Sequence, residues 1–121
     1  MIVLARLLSL LTGLLGAGGI AAAAMAAHGG YGENLKTASE FALLHAVLAV
    51  ALLRGPPSRL SIASAGIVLL AAILFCGDLA LRALAARGLF PMAAPMGGFA
   101  LMAGWLITGI FIFLKQKQTL Q

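Results

Sequence analysis

Residues 60–84 read LSIASAGIVLLAAILFCGDLALRAL, apolar or small almost throughout, with charge only at Asp78 and Arg82 near the end. A helix needs about 20 mostly apolar residues to cross a hydrocarbon layer of about 30 Å, so this stretch is long enough to span a membrane. The same pattern recurs on both sides of it. An apolar run from Ile2 to Ala27 is interrupted only by Arg6, a shorter one reaches Leu53, and another follows Pro91 and Pro95 through Trp105 to Leu114. Between them lie segments that resist helix: His28-Gly29-Gly30-Tyr31-Gly32, Arg54-Gly55-Pro56-Pro57-Ser58-Arg59 and Arg87-Gly88. Clustered glycines are costly to hold in a helix, and prolines remove backbone donors.

These breaks predict helices over residues 3–27, 35–53, 60–85 and 94–114 of one membrane domain, 1–121. The expected fold is all-α, an integral membrane four-helix bundle. Because every connection is short, neighbouring helices are expected to run antiparallel, up-down-up-down. The first run also has features of a signal peptide, with a basic start, a leucine-rich centre and an Ala-Met-Ala-Ala ending. Its length favours a retained helix.

Composition points the same way. Of 121 residues, 63% are hydrophobic and 9% charged, more apolar side chain than a soluble domain of this size can hide. The net charge of +5 does not indicate nucleic acid, since the eight Lys and Arg are scattered singly or in pairs between apolar runs. They read as topology determinants and contacts to lipid headgroups. Arg6, Arg54, Arg59, Lys115 and Lys117 fall on one side of the expected bundle, against Lys36, Arg82 and Arg87 on the other. The positive-inside rule then places both termini in the cytoplasm, in a bacterial inner membrane, with the mitochondrial inner membrane as the alternative. Cys76 is the only cysteine, sits in an apolar run and is expected to pack.

The topology gathers the polar residues toward one end. His28 closes the first helix, Glu40 and His45 lie early in the second, Asp78 and Arg82 close the third, and Pro95-Met96-Gly97-Gly98 opens the fourth. An ionisable group at the centre of a membrane segment costs about 2.5–3.5 kcal/mol, so such groups tend to face an interior, a wet cavity or an interface. His28, Glu40, His45, Asp78 and Arg82 are therefore the candidate polar cluster. Asp78 and Arg82 stand four apart in the favourable order for an ion pair. His45 is either a satisfied tie between helices or, with Asp78 brought within hydrogen-bonding distance, part of a proton-handling or ligand site.

Other residues read as packing. Ser9, Gly13, Ala17 and Ala21 recur every fourth position and would let another backbone approach along one stripe. Gly97, Gly98 and Gly104 offer the same in the fourth helix, and Trp105, near mid-membrane, is expected in a helix or protein contact with an acceptor for its indole N–H. Two histidines and one cysteine without tight spacing fall short of a metal site. With no phosphate-cradling loop and no nucleophile beside a base, neither a cofactor nor an enzyme is expected.

Several of these strings together resemble a known family. Ala27-His28, then Thr37-Ala38-Ser39-Glu40-Phe41 with His45, then Leu74-Phe75-Cys76-Gly77-Asp78-Leu79, then Ala94-Pro95-Met96-Gly97-Gly98 and Ala103-Gly104-Trp105 follow in an order that resembles the domain of unknown function 423 family, to which the animal transmembrane protein 256 is similar. Cys76 and Asp78 depart from the family's more usual Phe-Ser-Gly-Ser, and Ala94 from Thr before Pro95. The resemblance implies a four-helix membrane protein and supplies no activity. Two functions are carried forward. One is an accessory or scaffolding subunit packing against a larger membrane complex or against itself. The other is a small carrier, channel, or lipid- or quinone-binding protein using the polar cluster. Expected partners are membrane lipids and a membrane protein or a second copy, not nucleic acid.

Overall fold

The computed structural model describes residues 1–121 as four helices with no strand, α1 Ile2–His28, α2 Glu33–Leu53, α3 Arg59–Ala85 and α4 Ala93–Thr119. Three of them have 27 residues and α2 has 21, or about 40 Å and about 32 Å of helix. All four are long and apolar enough to cross a membrane.

The breaks fall where local chemistry puts them. Gly30 and Gly32 take φ of 66° and 77° between α1 and α2, and Gly55 takes 89° ahead of the two prolines. These are left-handed conformations that cost a glycine little. Ser58 then caps α3: its Oγ accepts from the Ser61 N–H at 3.1 Å, while its own N–H donates to Ser61 Oγ at 3.0 Å. Two donors that the first helical turn leaves open are thereby satisfied. At the start of α4 the first hydrogen bond runs from the Met96 N–H to the Met92 carbonyl. Pro95 sits before it, where its missing N–H costs nothing.

α2 and α3 form the centre. In their most apolar windows 44% and 50% of residues are buried, against 17% for α1 and 22% for α4. α1 packs on α2 and, less extensively, on α3, and α4 packs on α3. The main core joins Leu8, Ala49, Leu52, Ile62, Ala65, Val68 and Leu69. Small side chains let the backbones close in. A Cβ added at Gly97 would lie 2.8 Å from the Phe75 nitrogen, and one at Gly104 would lie 2.9 Å from Val68 Cγ2. Outward, Leu10, Leu14, Ile20, Val47, Leu70, Phe99 and Leu106 are more than 60% exposed. Large apolar side chains on every side of the molecule place its surface in hydrocarbon.

One expectation needs correction. α4 does not stop at Leu114 but continues through Lys115, Gln116 and Lys117 to Thr119. Lys and Gln are good helix formers, and leaving the apolar layer does not itself end a helix. The stripe Ser9, Gly13, Ala17 and Ala21 is exposed and stays open to a backbone from outside the chain. α1 instead turns Leu8, Thr12, Gly16 and Gly19 inward, with Gly16 against Ala46 and Gly19 against Ala42 and Leu43. In a segment so rich in Gly and Ala several stripes of small residues run side by side. The flanking bulk of Leu8, Leu11 and Leu15, which join the core, selects the inward one.

Candidate functional site

His45 lies on the inward face of α2 and is 1% exposed. Its Nδ1 is 2.7 Å from the Phe41 carbonyl one turn earlier, and its Nε2 is 3.2 Å from Trp105 Nε1 on α4. A carbonyl only accepts and an indole N–H only donates. The imidazole is therefore neutral as found, with its proton on Nδ1, and both nitrogens are engaged. The Phe41 ring stacks on His45 at 5.8 Å and meets Phe75 at 5.0 Å, while Trp105 stands edge-on to the imidazole at 6.1 Å. This aromatic group joins α2, α3 and α4.

Asp78, on the last turns of α3, has no accessible surface. Its Oδ2 accepts from Arg82 Nε at 2.8 Å and its Oδ1 from the Leu89 N–H at 2.8 Å. A buried carboxylate requires both charge compensation and occupied lone pairs, and these two contacts provide them. The second contact reaches beyond the helix and ties down the segment between α3 and α4. Gly88 makes the approach possible, because a Cβ there would lie 2.6 Å from Arg82 Nη2 and 2.7 Å from Asp78 Oδ1.

Of the five residues in the candidate cluster, the structure joins only Asp78 and Arg82. His28 and Glu40 are exposed and make neither a side-chain hydrogen bond nor an ion pair. His45 and Asp78 are held in separate networks with no hydrogen bond between them, and neither lines the grooves beside α1, between α1, α2 and α3, or at the end of α4. Every buried side-chain nitrogen or oxygen has a partner. No three His, Cys, Asp or Glu side chains come together as a metal would need. Cys76 packs among Ala38 and Ala42 of α2. Of the packing candidates, Gly97 and Gly104 lie in the α3–α4 contact, a Cβ at Gly98 would lie 3.8 Å from the Phe75 ring, and Trp105 bridges to α2.

Sequence reasoning missed the Leu89 N–H and the role of Gly88, since nothing local marks a loop amide as the partner of an acid 11 residues earlier. Trp105 did signal the need for an acceptor, but not that His45, 60 residues away, supplies it.

Four long apolar helices, an apolar surface all round and buried polar side chains that all find hydrogen-bond partners within the chain define a small integral membrane protein. The family model described as "Protein of unknown function (DUF423)" matches residues 15–98, and the chain belongs to that family. The matched span contains His45 and Asp78 and ends before Trp105. No curated protein and no solved structure matches the chain.

Proposed function

We propose that this protein is an accessory or scaffolding subunit that packs in the membrane against a larger complex or a second copy of itself. The observation that supports it is the outward face of α1. Ser9, Gly13, Ala17 and Ala21 are exposed there, and a Cβ at Gly13 would meet nothing within 4 Å. A stripe of small residues facing lipid admits another helix to close backbone contact, a main source of helix association where water is absent. The ionisable residues argue for the same role, because His45 and Asp78 are bound into separate structural ties. We place the four helices up-down-up-down with both termini on the cytoplasmic face of a bacterial inner membrane, or the matching face of the mitochondrial inner membrane. The excess of Lys and Arg at the end bearing Arg6, Arg54 and Lys115 supports that orientation.

The test is purification in mild detergent followed by native mass spectrometry. A partner or a dimer is expected with the unmodified chain and is lost in Gly13→Leu, whose bulky side chain has free space in the monomer. Recovery solely as a monomer, before any substitution, overturns the proposal.

A second reading, a lipid- or quinone-binding protein, has one observation in its favour. An apolar groove of about 400 Å³ runs between α1, α2 and α3, lined by Leu15, Gly18, Ala42 and Cys76 among others. Extraction and analysis of the lipids that copurify tests it; a carrier or channel is tested by flux into vesicles, with His45→Ala and Asp78→Asn expected to abolish any flux the cluster supports.

A further inference from the structure

The three acidic side chains of this protein are Glu33, Glu40 and Asp78, and Asp78 is taken up by Arg82. None lies at the end where the α2–α3 connection meets the end of α4. Arg54, at the C-terminus of α2, and Lys115, in the last turns of α4, line the same cavity there, about 340 Å³ in volume. Neither has an ion-pair partner. Ser58 and Gln118 add polar groups to the wall, and Leu60, Phe111 and Leu114 make it apolar below. Lys115 Nζ stands 5.9 Å from the centre of the Phe111 ring, which keeps the ammonium beside the cavity. Ser61 also lines a second cavity on the other side of the connection, about 510 Å³, which carries Arg6.

We propose that the cavity between Arg54 and Lys115 binds an anionic phospholipid, with the phosphate between the two cations and the acyl chains along Leu60, Phe111 and Leu114. Two unpaired cations converge from different helices on one concave site. The volume is in the range of small-ligand sites, about 300–1,000 Å³. The apolar wall distinguishes a lipid from a free anion, because Leu114 is 43% exposed and continues the cavity onto the lipid-facing surface. Basic pockets between membrane helices at the headgroup level are suited to such lipids. The site rests on the chain lying in a membrane and not on its being a subunit of anything, so it stands or falls separately from the scaffolding role.

The experiment titrates the purified protein in neutral detergent with short-chain phosphatidylglycerol, phosphatidylcholine or inorganic phosphate and counts bound ligands by native mass spectrometry. Phosphatidylglycerol is expected to bind more tightly than phosphatidylcholine, and inorganic phosphate not to displace it. Near a membrane surface each cation contributes about fivefold to such binding, so Arg54→Gln with Lys115→Gln is expected to weaken phosphatidylglycerol about 30-fold. Lys36→Gln, at the other end, is expected to leave it unchanged. Equal binding of the two lipids by the unmodified chain, displacement by phosphate, or full affinity in the double variant each overturns the proposal. The first two comparisons need no variant, so they decide the matter even if the double variant does not fold.

Discussion

Replacing Gly97 by Ala is expected to loosen α4 from α3, whereas the same change one residue later is not. A Cβ at position 97 lands 2.8 Å from the Phe75 nitrogen, 2.9 Å from its Cβ and 3.0 Å from its Cα. Two of those atoms are backbone and the third is fixed to it, so no rotamer change relieves the clash. Ordinary contact begins at 3.4 Å, and 3.4 − 2.8 leaves 0.6 Å by which the helices must part. A separation of that size lengthens contacts along the seam, including Gly104 on Val68, and overpacking of this kind costs about 1–3 kcal/mol. At Gly98 a Cβ meets only the Phe75 ring, at 3.8 Å. There the helix propensity of Ala over Gly, up to about 1 kcal/mol, is gained without strain. Thermal unfolding of both variants in the same detergent, followed by loss of helical circular dichroism or by aggregation, reads the difference. Gly97→Ala should melt below the unmodified chain and Gly98→Ala at or above it. If Gly97→Ala proved as stable as Gly98→Ala, the close α3–α4 contact described above would be wrong.

Three further outcomes follow from the polar ties and the connections. Trp105→Phe keeps an aromatic ring, though a smaller one, but removes the donor to His45 Nε2, leaving a buried acceptor unpaired at a cost of about 1–3 kcal/mol; thermal melting measures the loss, and nitrogen NMR of the imidazole should show Nδ1–H as the tautomer in the unmodified chain. Gly88→Ala places a Cβ against Asp78 and Arg82, so it should lower the melting temperature by a few degrees and hasten proteolysis between α3 and α4; unchanged proteolysis would show that the Asp78 clamp does not order that segment. Ala86 closes α3 at φ 56° and ψ 26°, left-handed for a residue with a Cβ, and Ala86→Gly should stabilise the protein by about 1 kcal/mol in the same melts.

These outcomes bear on function because they separate residues that hold the bundle together from residues open to a partner. His45 and Asp78 belong to the first group, each with its hydrogen-bonding capacity engaged inside the chain. The exposed stripe on α1 and the cations at the end of the bundle belong to the second. A substitution at Gly13 or Lys115 that leaves the melt unchanged but alters mass or lipid binding would place that residue in an intermolecular role.

Much of the fold was legible in the sequence alone. Apolar runs longer than a bilayer, divided by Gly and Pro clusters, fix four helices and their medium, since each requirement is local and counts along the chain. The four-residue spacing of Asp78 and Arg82 likewise puts them on one helical face, and they do pair. Only the tertiary structure decided which of several small-residue stripes on α1 turns inward, that Asp78 also holds the Leu89 amide, and that Trp105 rather than Asp78 is the partner of His45. Those choices depend on how helices rotate and slide against one another. Rotation is set by the fit of the Leu43 and Val68 side chains and the Phe75 backbone into gaps left by Gly19, Gly104 and Gly97, and that fit cannot be counted along one chain.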